Sequence, residues 1–106
     1  MAGPKASASL FAALGDETRL RLISRLCDGG PMSITRLTAG SRFTRQAITK
    51  HLRVMEGTGL VRNTRHGRES IWQLDQQRLQ DARHYLDLIS AQWDLALERL
   101  RKFVEE

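Results

Sequence analysis

The spacing of apolar residues divides the first third of the chain into two amphipathic helices. Residues 1–7 are small and polar and are predicted to be mobile. From Ser9 an apolar stretch predicts a short helix that ends at Gly15, after which Asp16 can cap a second helix. The arginines of this second helix, Arg19 to Arg25, should lie on its outer surface. Its apolar positions recur at helical spacing and should face the core: Leu20, Ile23, Leu26 and Cys27.

The middle of the chain has the pattern of a helix-turn-helix, over residues 33–58. After a turn at residues 29–31, Ser33 can cap a short helix, and Thr44 can cap the next one. A short glycine-containing turn at residues 40–43 separates the two helices. The second helix would bury Ala47, Ile48, Leu52 and Met55. Its other face is polar and basic, as in a helix that enters the major groove, and consists of Arg45, Gln46, Thr49, Lys50 and Arg53.

Residues 60–74 follow with the pattern of a β-hairpin. Two short stretches of β-forming residues flank a basic tip at residues 66–69, where Gly67 allows the backbone to turn. The side chains available for burial are those of Val61, Ile71, Trp72 and Leu74. The side chains that can project toward phosphates or a minor groove are those of Arg62, Arg65 and Arg68. A hairpin directly after a recognition helix is a wing.

Residues 76–105 contain no glycine or proline and predict one long helix. Its apolar residues alternate in steps of three and four, which is an a/d heptad seam: Leu79, Ala82, Leu86, Ile89, Trp93, Ala96, Leu100 and Phe103. Six of these are large, so a seam left in water would forfeit roughly 9–18 kcal/mol per chain as an upper bound. The stripe is widened by Tyr85, Leu88, Leu95 and Leu97. A second copy of the helix is therefore the favoured partner, and a helix folded back entirely on its own domain is the alternative.

The charge of the chain is unevenly distributed. Its 106 residues fit one domain, and 41% hydrophobic with 27% charged residues is a globular balance. The net charge is +5, but the stretch from Arg36 to Arg68 holds eight basic residues and one acidic residue, so the rest carries a net −2. Such a local excess of cations points to a polyanion, because each Lys or Arg placed on a phosphate releases counterions. Without an accompanying motif, a solvated basic face would be the alternative.

Several classes of function are disfavoured by the sequence. No apolar run approaches the roughly 20 residues that span a bilayer, and no signal-peptide pattern is present, so the chain is expected in the cytoplasm. Phosphate-loop, nucleophile-elbow and metal-cluster patterns are absent, and no enzyme is predicted. The single cysteine, Cys27, cannot form an internal disulfide. A buried thiol is expected there, with a one-cysteine redox sensor as the alternative.

With these elements in this order, the chain resembles the ArsR/SmtB family of bacterial winged-helix repressors over nearly its whole length. Three segments carry the resemblance: residues 14–21 (LGDETRLR), residues 44–52 (TRQAITKHL) and residues 56–61 (EGTGLV). The resemblance implies a mainly α fold with a small β-hairpin wing, that is, a winged helix-turn-helix that is dimeric through its N- and C-terminal helices. It also implies a cytoplasmic homodimer that occupies an operator and leaves it when a signal arrives.

Specific residues follow from the resemblance and from the basic face of the recognition helix. The predicted DNA-binding set is Thr44, Arg45, Gln46, Thr49, Lys50, His51, Arg53, Arg65, Gly67 and Arg68. Arg45 could contact guanine and Gln46 adenine, whereas Lys50 could neutralise a phosphate. His51 could either contact a phosphate or pack beside the turn. The predicted dimer interface combines Leu10 and Phe11 with Leu79, Leu86, Ile89, Trp93, Leu100 and Phe103.

The residues by which many family members sense metals are missing. Those members use cysteines in the helix before the recognition helix, or an Asp-x-His and a later His-x-x-Glu set on the final helix. Residues 33–40 contain no cysteine, and the closest final-helix register gives Asp81, Arg83, Asp94 and Leu97. A solvated face is expected around His84, although this imidazole could meet ligands of a second copy. No metal and no cofactor are predicted, as in the metal-independent branch of the family.

Three functions remain open at this point. The leading hypothesis is a sequence-specific repressor that binds double-stranded DNA, with a small-molecule or protein inducer left open. The second is an architectural protein that coats DNA by charge alone, against which a groove-facing Arg45 and Gln46 argue. The third is a protein-interaction module that uses the long amphipathic helix.

Overall fold

The computed structural model describes residues 3–105; Met1 and Ala2, part of the segment predicted to be mobile, and Glu106 lie outside the described residues. Within that range the elements are α1 (Pro4–Leu14), α2 (Glu17–Gly29), β1 (Met32–Ser33), α3 (Ile34–Thr38), α4 (Arg45–Gly57), β2 (Val61–His66), β3 (Glu69–Leu74) and α5 (Gln76–Glu105). The strands form one antiparallel sheet in the order β1-β3-β2. The fold is mainly α with a small sheet, as predicted.

The first helix begins at Pro4 rather than at Ser9. A proline is well suited to the first helical position, because its missing N–H would have no intrahelical partner there. The backbone N–H of Ser7 donates to the carbonyl of Gly3 at 3.0 Å, and the Ser7 side chain is buried. Residues 4–7, which lie within the segment predicted to be mobile, thus form the first turn of α1.

The second helix buries a narrower stripe than its sequence predicted. Asp16 caps it as expected, since its carboxylate accepts from the N–H of Arg19 at 3.0 Å. The buried residues of α2 are Leu22, Ile23 and Leu26. Leu20 is 49% exposed and Cys27 is also exposed, contrary to the prediction for both. At about 100° per residue, Leu20 and Cys27 lie close together around the helix axis, on the side beyond Ile23 and about 100° from the middle of the buried stripe.

The helix-turn-helix forms as predicted, with both expected caps. The Ser33 hydroxyl accepts from the N–H of Arg36 at 3.2 Å, and the Thr44 hydroxyl accepts from the N–H of Ala47 at 3.1 Å. The core-facing side of α4 is made by Ile48, Leu52 and Met55, all of them buried. The two-residue strand β1 was not predicted. It pairs with β3, and places Met32 opposite Trp72.

The wing is a two-stranded hairpin attached to this core. Strands β2 and β3 pair from Val61 opposite Leu74 out to His66 opposite Glu69. Gly67 at the tip has φ +62°. All residues with a positive φ among those described are glycines. Glycine is favoured there because a hairpin turn with a positive φ at its first central position strains any residue with a Cβ. Trp72 and Val61 are each 1% exposed, so the base of the wing belongs to the core.

The last helix leaves the domain after about its first third. Asp75 caps α5 by accepting from the N–H of Gln77 at 2.9 Å, and Leu79 and Ala82 pack onto the core. Beyond Tyr85 the apolar residues are mostly exposed. The radius of gyration is 18.0 Å, against about 13 Å for a compact domain of this length, and the longest dimension is 67 Å. The greater part of α5 therefore projects from the domain.

Across residues 3–105, no helix has both the length and the apolar composition needed to cross a membrane.

Candidate nucleic-acid interface

The predicted basic face of α4 is assembled on one surface. Its five residues line a single shallow depression: Arg45, Gln46, Thr49, Lys50 and Arg53. Arg45, Gln46 and Lys50 are exposed, and Thr49 is half-buried. In the part of the chain that the structure describes, neither Arg45 nor Lys50 forms an ion pair, so their donors are available to a ligand. Gln46 adds an amide that can both donate and accept.

The N-terminus of α4 adds two groups suited to a phosphate. The Thr44 oxygen accepts from the N–H of Ala47, which leaves the hydroxyl proton to be donated elsewhere. Arg42 lies two residues before this cap, and its guanidinium carbon is 5.3 Å from the centre of the Phe43 ring. The predicted site left Arg42 out. Its position just before a helix N-terminus, where anions are favoured, could have indicated it.

Arg53 differs from its neighbours on α4. Its guanidinium donates to Glu56 at 2.8 Å and lies 5.2 Å from the centre of the Trp72 ring. The side chain is still exposed. Arg53 thus connects the recognition helix to the base of the wing, and its predicted contact with DNA would have to be made from this position.

His51 is held by groups from the first turn of α2 and its N-cap. Its Nδ1 atom lies 3.2 Å from Nη1 of Arg19 and 3.8 Å from a carboxylate oxygen of Asp16. Because a guanidinium only donates, Nδ1 must accept in this contact. Of the two roles considered for His51, packing beside the turn fits this geometry, while the phosphate contact stays a prediction. Arg19, predicted on the outer surface, is turned inward.

The Asp16 carboxylate carries the resolved pKa shift in this region. The N–H of Arg19 donates to it, and the positive charge of the Arg19 guanidinium acts in the same direction. Desolvation opposes this effect without cancelling it, so the pKa of Asp16 lies below its ordinary value.

Acid should therefore destabilise the protein partly through Asp16. With a lowered folded-state pKa, this carboxylate stabilises the fold above the unfolded-state pKa, and the contribution is lost as the pH falls through the folded value, below about pH 4. Asp16→Asn keeps a good N-cap but cannot titrate. Urea unfolding between pH 7 and pH 3 should show a smaller loss of stability for this variant than for the wild type. Equal losses would show that Asp16 does not contribute.

The wing arginines fall into two groups. Arg65 and Arg68 lie at the outer end of the hairpin, next to Gly67, and both are exposed. Arg62 lies at the base of the wing, 3.7 Å from the carboxylate of Asp75. Arg62 is thus engaged with Asp75 at the base of the hairpin, whereas Arg65 and Arg68 are exposed at its outer end.

Only some of the residues predicted for the dimer interface are exposed on the subunit surface. Leu10 is 1% exposed and is covered by its own subunit, so it has almost no surface to offer a partner. Leu79 packs against the core but is only partly buried, and its interface role stays a prediction. Phe11 is half-buried, with its ring centre 5.9 Å from that of Tyr85. The remaining predicted residues are 45–78% exposed and are called here the bare seam: Leu86, Ile89, Trp93, Leu100 and Phe103.

Potential metal ligands are scattered. Among residues 3–105, no three His, Cys, Asp or Glu side chains are close enough to hold one ion. Asp81, which occupies the family's first ligand position, accepts from Arg78 at 3.2 Å and from Gln77 at 3.1 Å.

A helix-turn-helix whose second helix has an exposed polar and basic face, followed by a basic wing, defines a DNA-binding winged helix-turn-helix protein. The chain belongs to the ArsR family of bacterial regulatory proteins, whose family model matches residues 16–63. An HTH-type transcriptional regulator of Mycobacterium tuberculosis is 30% identical over 95 residues, which cover 90% of this chain and 85% of that relative. The protein is therefore a transcriptional regulator and not an enzyme.

Solved structures of ArsR-like and possible ArsR-family regulators have the same fold. An ArsR-like transcriptional regulator from Rhodococcus sp. RHA1 is similar with a TM-score of 0.81 and 33% identity, and the match covers 93% of this chain and 92% of that one. A homodimeric winged helix-turn-helix DNA-binding domain from Mycobacterium bovis, a possible ArsR-family regulator, shares the fold with a TM-score of 0.64. It is 19% identical, with 89% of this chain and 91% of that one covered.

Proposed function

We propose that this regulator is a repressor that binds a palindromic operator as a homodimer. The observation that carries the proposal is the exposed face of α4, where Arg45 and Gln46 stand side by side and Arg45 forms no ion pair within residues 3–105. This pair suits bidentate contacts to guanine and adenine, which a protein that coats DNA by charge alone does not need. We infer that a dimer bound to the operator blocks transcription from it.

The bare seam supports the dimeric part of the proposal. Its five apolar side chains lie on one side of α5, and solvent contact on this scale is costly for large apolar residues. A second copy offers the same surface, so a two-fold axis would bury both seams at once. The Mycobacterium bovis domain with this fold is homodimeric. Two recognition helices would then meet half-sites about 34 Å apart.

Selection of bound sequences from random duplex DNA, at two salt concentrations and with metals chelated, tests the proposal. We expect an enriched palindrome whose binding weakens steeply with salt, because Lys and Arg contacts to phosphate release counterions. Binding without sequence enrichment would support charge-driven coating of DNA instead. Dimers that do not bind DNA at all would support a protein-interaction module.

Variants of α4 should separate base readers from phosphate contacts. Arg45→Ala and Gln46→Ala should each relax base preference by about 1–3 kcal/mol at one operator position, because each removes a bidentate pair. Lys50→Ala should weaken specific and random duplexes alike and reduce the salt dependence by about one counterion. Fluorescence anisotropy with the selected operator and with single-base variants measures both effects. Equal losses on every duplex for all three variants would contradict the assignment of Arg45 and Gln46 as base readers.

A further inference from the structure

The guanidinium of Arg19 joins three helices. Its Nε atom donates to the carbonyl of Ala13 at 2.6 Å, and its Nη2 atom donates to that of Ala12 at 3.5 Å. These carbonyls belong to the last turn of α1, where helix carbonyls lack the usual N–H partner four residues later. The Ala12 carbonyl also accepts from the N–H of the C-cap residue Gly15 at 3.3 Å. Its Nη1 atom donates to His51, in the middle of α4. One side chain of α2 therefore fixes the recognition helix to the end of α1.

A second arginine makes a comparable connection at the other end of α4. Arg78, in the first turn of α5, donates from Nε to the carbonyl of Thr58, the C-cap residue of α4, at 3.0 Å. Its Nη1 atom is held by Asp81 at 3.2 Å, and the side chain is only 23% exposed. Gly59 makes room for this arrangement, because a Cβ there would lie 3.2 Å from Nε of Arg78.

Both arginines join α4 to neighbouring helices of the domain. The apolar face of α4 packs within the domain core, whereas Arg19 and Arg78 connect the helix to α1 and α5, which touch each other through Phe11 and Tyr85. In the proposed dimer α5 would carry the interface. The two arginines would then determine how the recognition helix is oriented relative to the two-fold axis.

Small changes in this orientation matter for operator choice. The helix has 13 residues and is therefore about 20 Å long. A tilt of about 10° would displace one end by roughly 3.4 Å, which is the rise of one base pair. A loosely held recognition helix could thus accept half-sites moved by one base pair, and a firmly held one could not.

We propose that Arg19 and Arg78 are positioning residues that set the half-site spacing accepted by the dimer. The inference rests on the proposed function, since spacing has meaning only for a dimer on a two-part operator. Lysine cannot replace either residue, because one ammonium group does not reproduce a planar fork that reaches acceptors on two elements.

The experiment compares the affinity for the selected operator with that for the same operator carrying one extra central base pair. The wild type should prefer the original spacing. In Arg19→Lys and Arg78→Lys this preference should fall by about three- to thirtyfold, the usual range for residues that modulate coupling between sites. Affinity for a duplex with one half-site should change less than about twofold, since the base-reading face is intact.

Two matched substitutions serve as controls. Arg21→Lys lies on α2, where among residues 3–105 the arginine side chain hydrogen-bonds only to Glu17, in a solvent-exposed pair. Arg101→Lys lies on α5, where the arginine pairs with Glu98 three residues earlier, as Arg78 pairs with Asp81 three residues later. Both controls should retain the wild-type spacing preference. Thermal unfolding monitored by circular dichroism verifies that each variant is folded at the assay temperature.

The outcomes separate this inference from the proposed function. A flattened spacing preference in both variants, with half-site binding retained, supports it. If folded Arg19→Lys and Arg78→Lys keep the wild-type spacing preference, the inference is overturned and the repressor proposal stands. An equal loss of affinity for both spacings would have the same consequence. If the wild type shows no spacing preference, both the inference and the proposal that a dimer binds a two-part operator are overturned.

Discussion

Replacing Trp93 with aspartate should convert the proposed dimer into monomers. Trp93 is 64% exposed in one subunit and lies in the middle of the bare seam. Its burial by a partner would contribute about 2–4 kcal/mol per dimer, because a symmetric interface contains the residue twice. Loss of that burial alone weakens association between roughly 30-fold and several hundredfold, and a buried carboxylate weakens it further. Sedimentation equilibrium over a range of protein concentrations measures the effect.

Leu95→Asp is the matched control for this substitution. Leu95 is 61% exposed and lies on the same helix, but two residues place it about 200° around the axis from Trp93. This variant should remain dimeric, whereas Leu86→Asp, in the seam, should behave like Trp93→Asp. Retained dimers in both seam variants would place the interface elsewhere, and dissociation by Leu95→Asp would show that the interface surrounds more of α5 than the bare seam.

Trp72→Ala should be the most damaging substitution inside a single subunit. The Trp72 ring is 1% exposed, its strand lies between β1 and β2, and the Arg53 guanidinium lies over one face. Truncation of a buried tryptophan costs about 3–5 kcal/mol, while a small protein has a total stability of about 5–15 kcal/mol. The urea midpoint, measured by circular dichroism at one fixed protein concentration, should therefore fall by about 1 M or more.

Trp72→Phe provides the comparison for this prediction. Phenylalanine keeps most of the apolar volume and a ring for Arg53 to contact, so this variant should lie between the wild type and Trp72→Ala. A midpoint that Trp72→Ala leaves unchanged would mean that the sheet does not depend on the packing of this side chain.

Elements with a strong local signal could be predicted from the sequence. Asp16, Ser33 and Thr44 cap the helices for which they were proposed, because an N-cap acts on N–H groups only two or three residues away. The hairpin and α5 also formed where they were predicted, since strand and helix periodicity are local properties. The basic face of α4 follows from the same helical geometry.

Features that depend on distant residues could not be predicted. β1 has two residues and exists because Met32 meets Trp72, which lies 40 positions later. Leu10 was assigned to the dimer interface, since periodicity does not show whether an apolar face meets its own domain or a partner. The inward position of Arg19 depends on the end of α1 and on His51, neither of which an amphipathic pattern reveals.

In the proposed dimer, the projecting part of α5 would also determine how operator occupancy depends on the concentration of the protein. If an operator requires two recognition helices and each subunit carries one, then at low abundance the population of competent pairs grows with the square of the subunit concentration. A twofold change in gene dosage then becomes a roughly fourfold change in operator-competent protein, before any inducer is involved. In the proposed dimer, the strength of the α5 contact would set the cellular concentration around which operator occupancy changes most steeply.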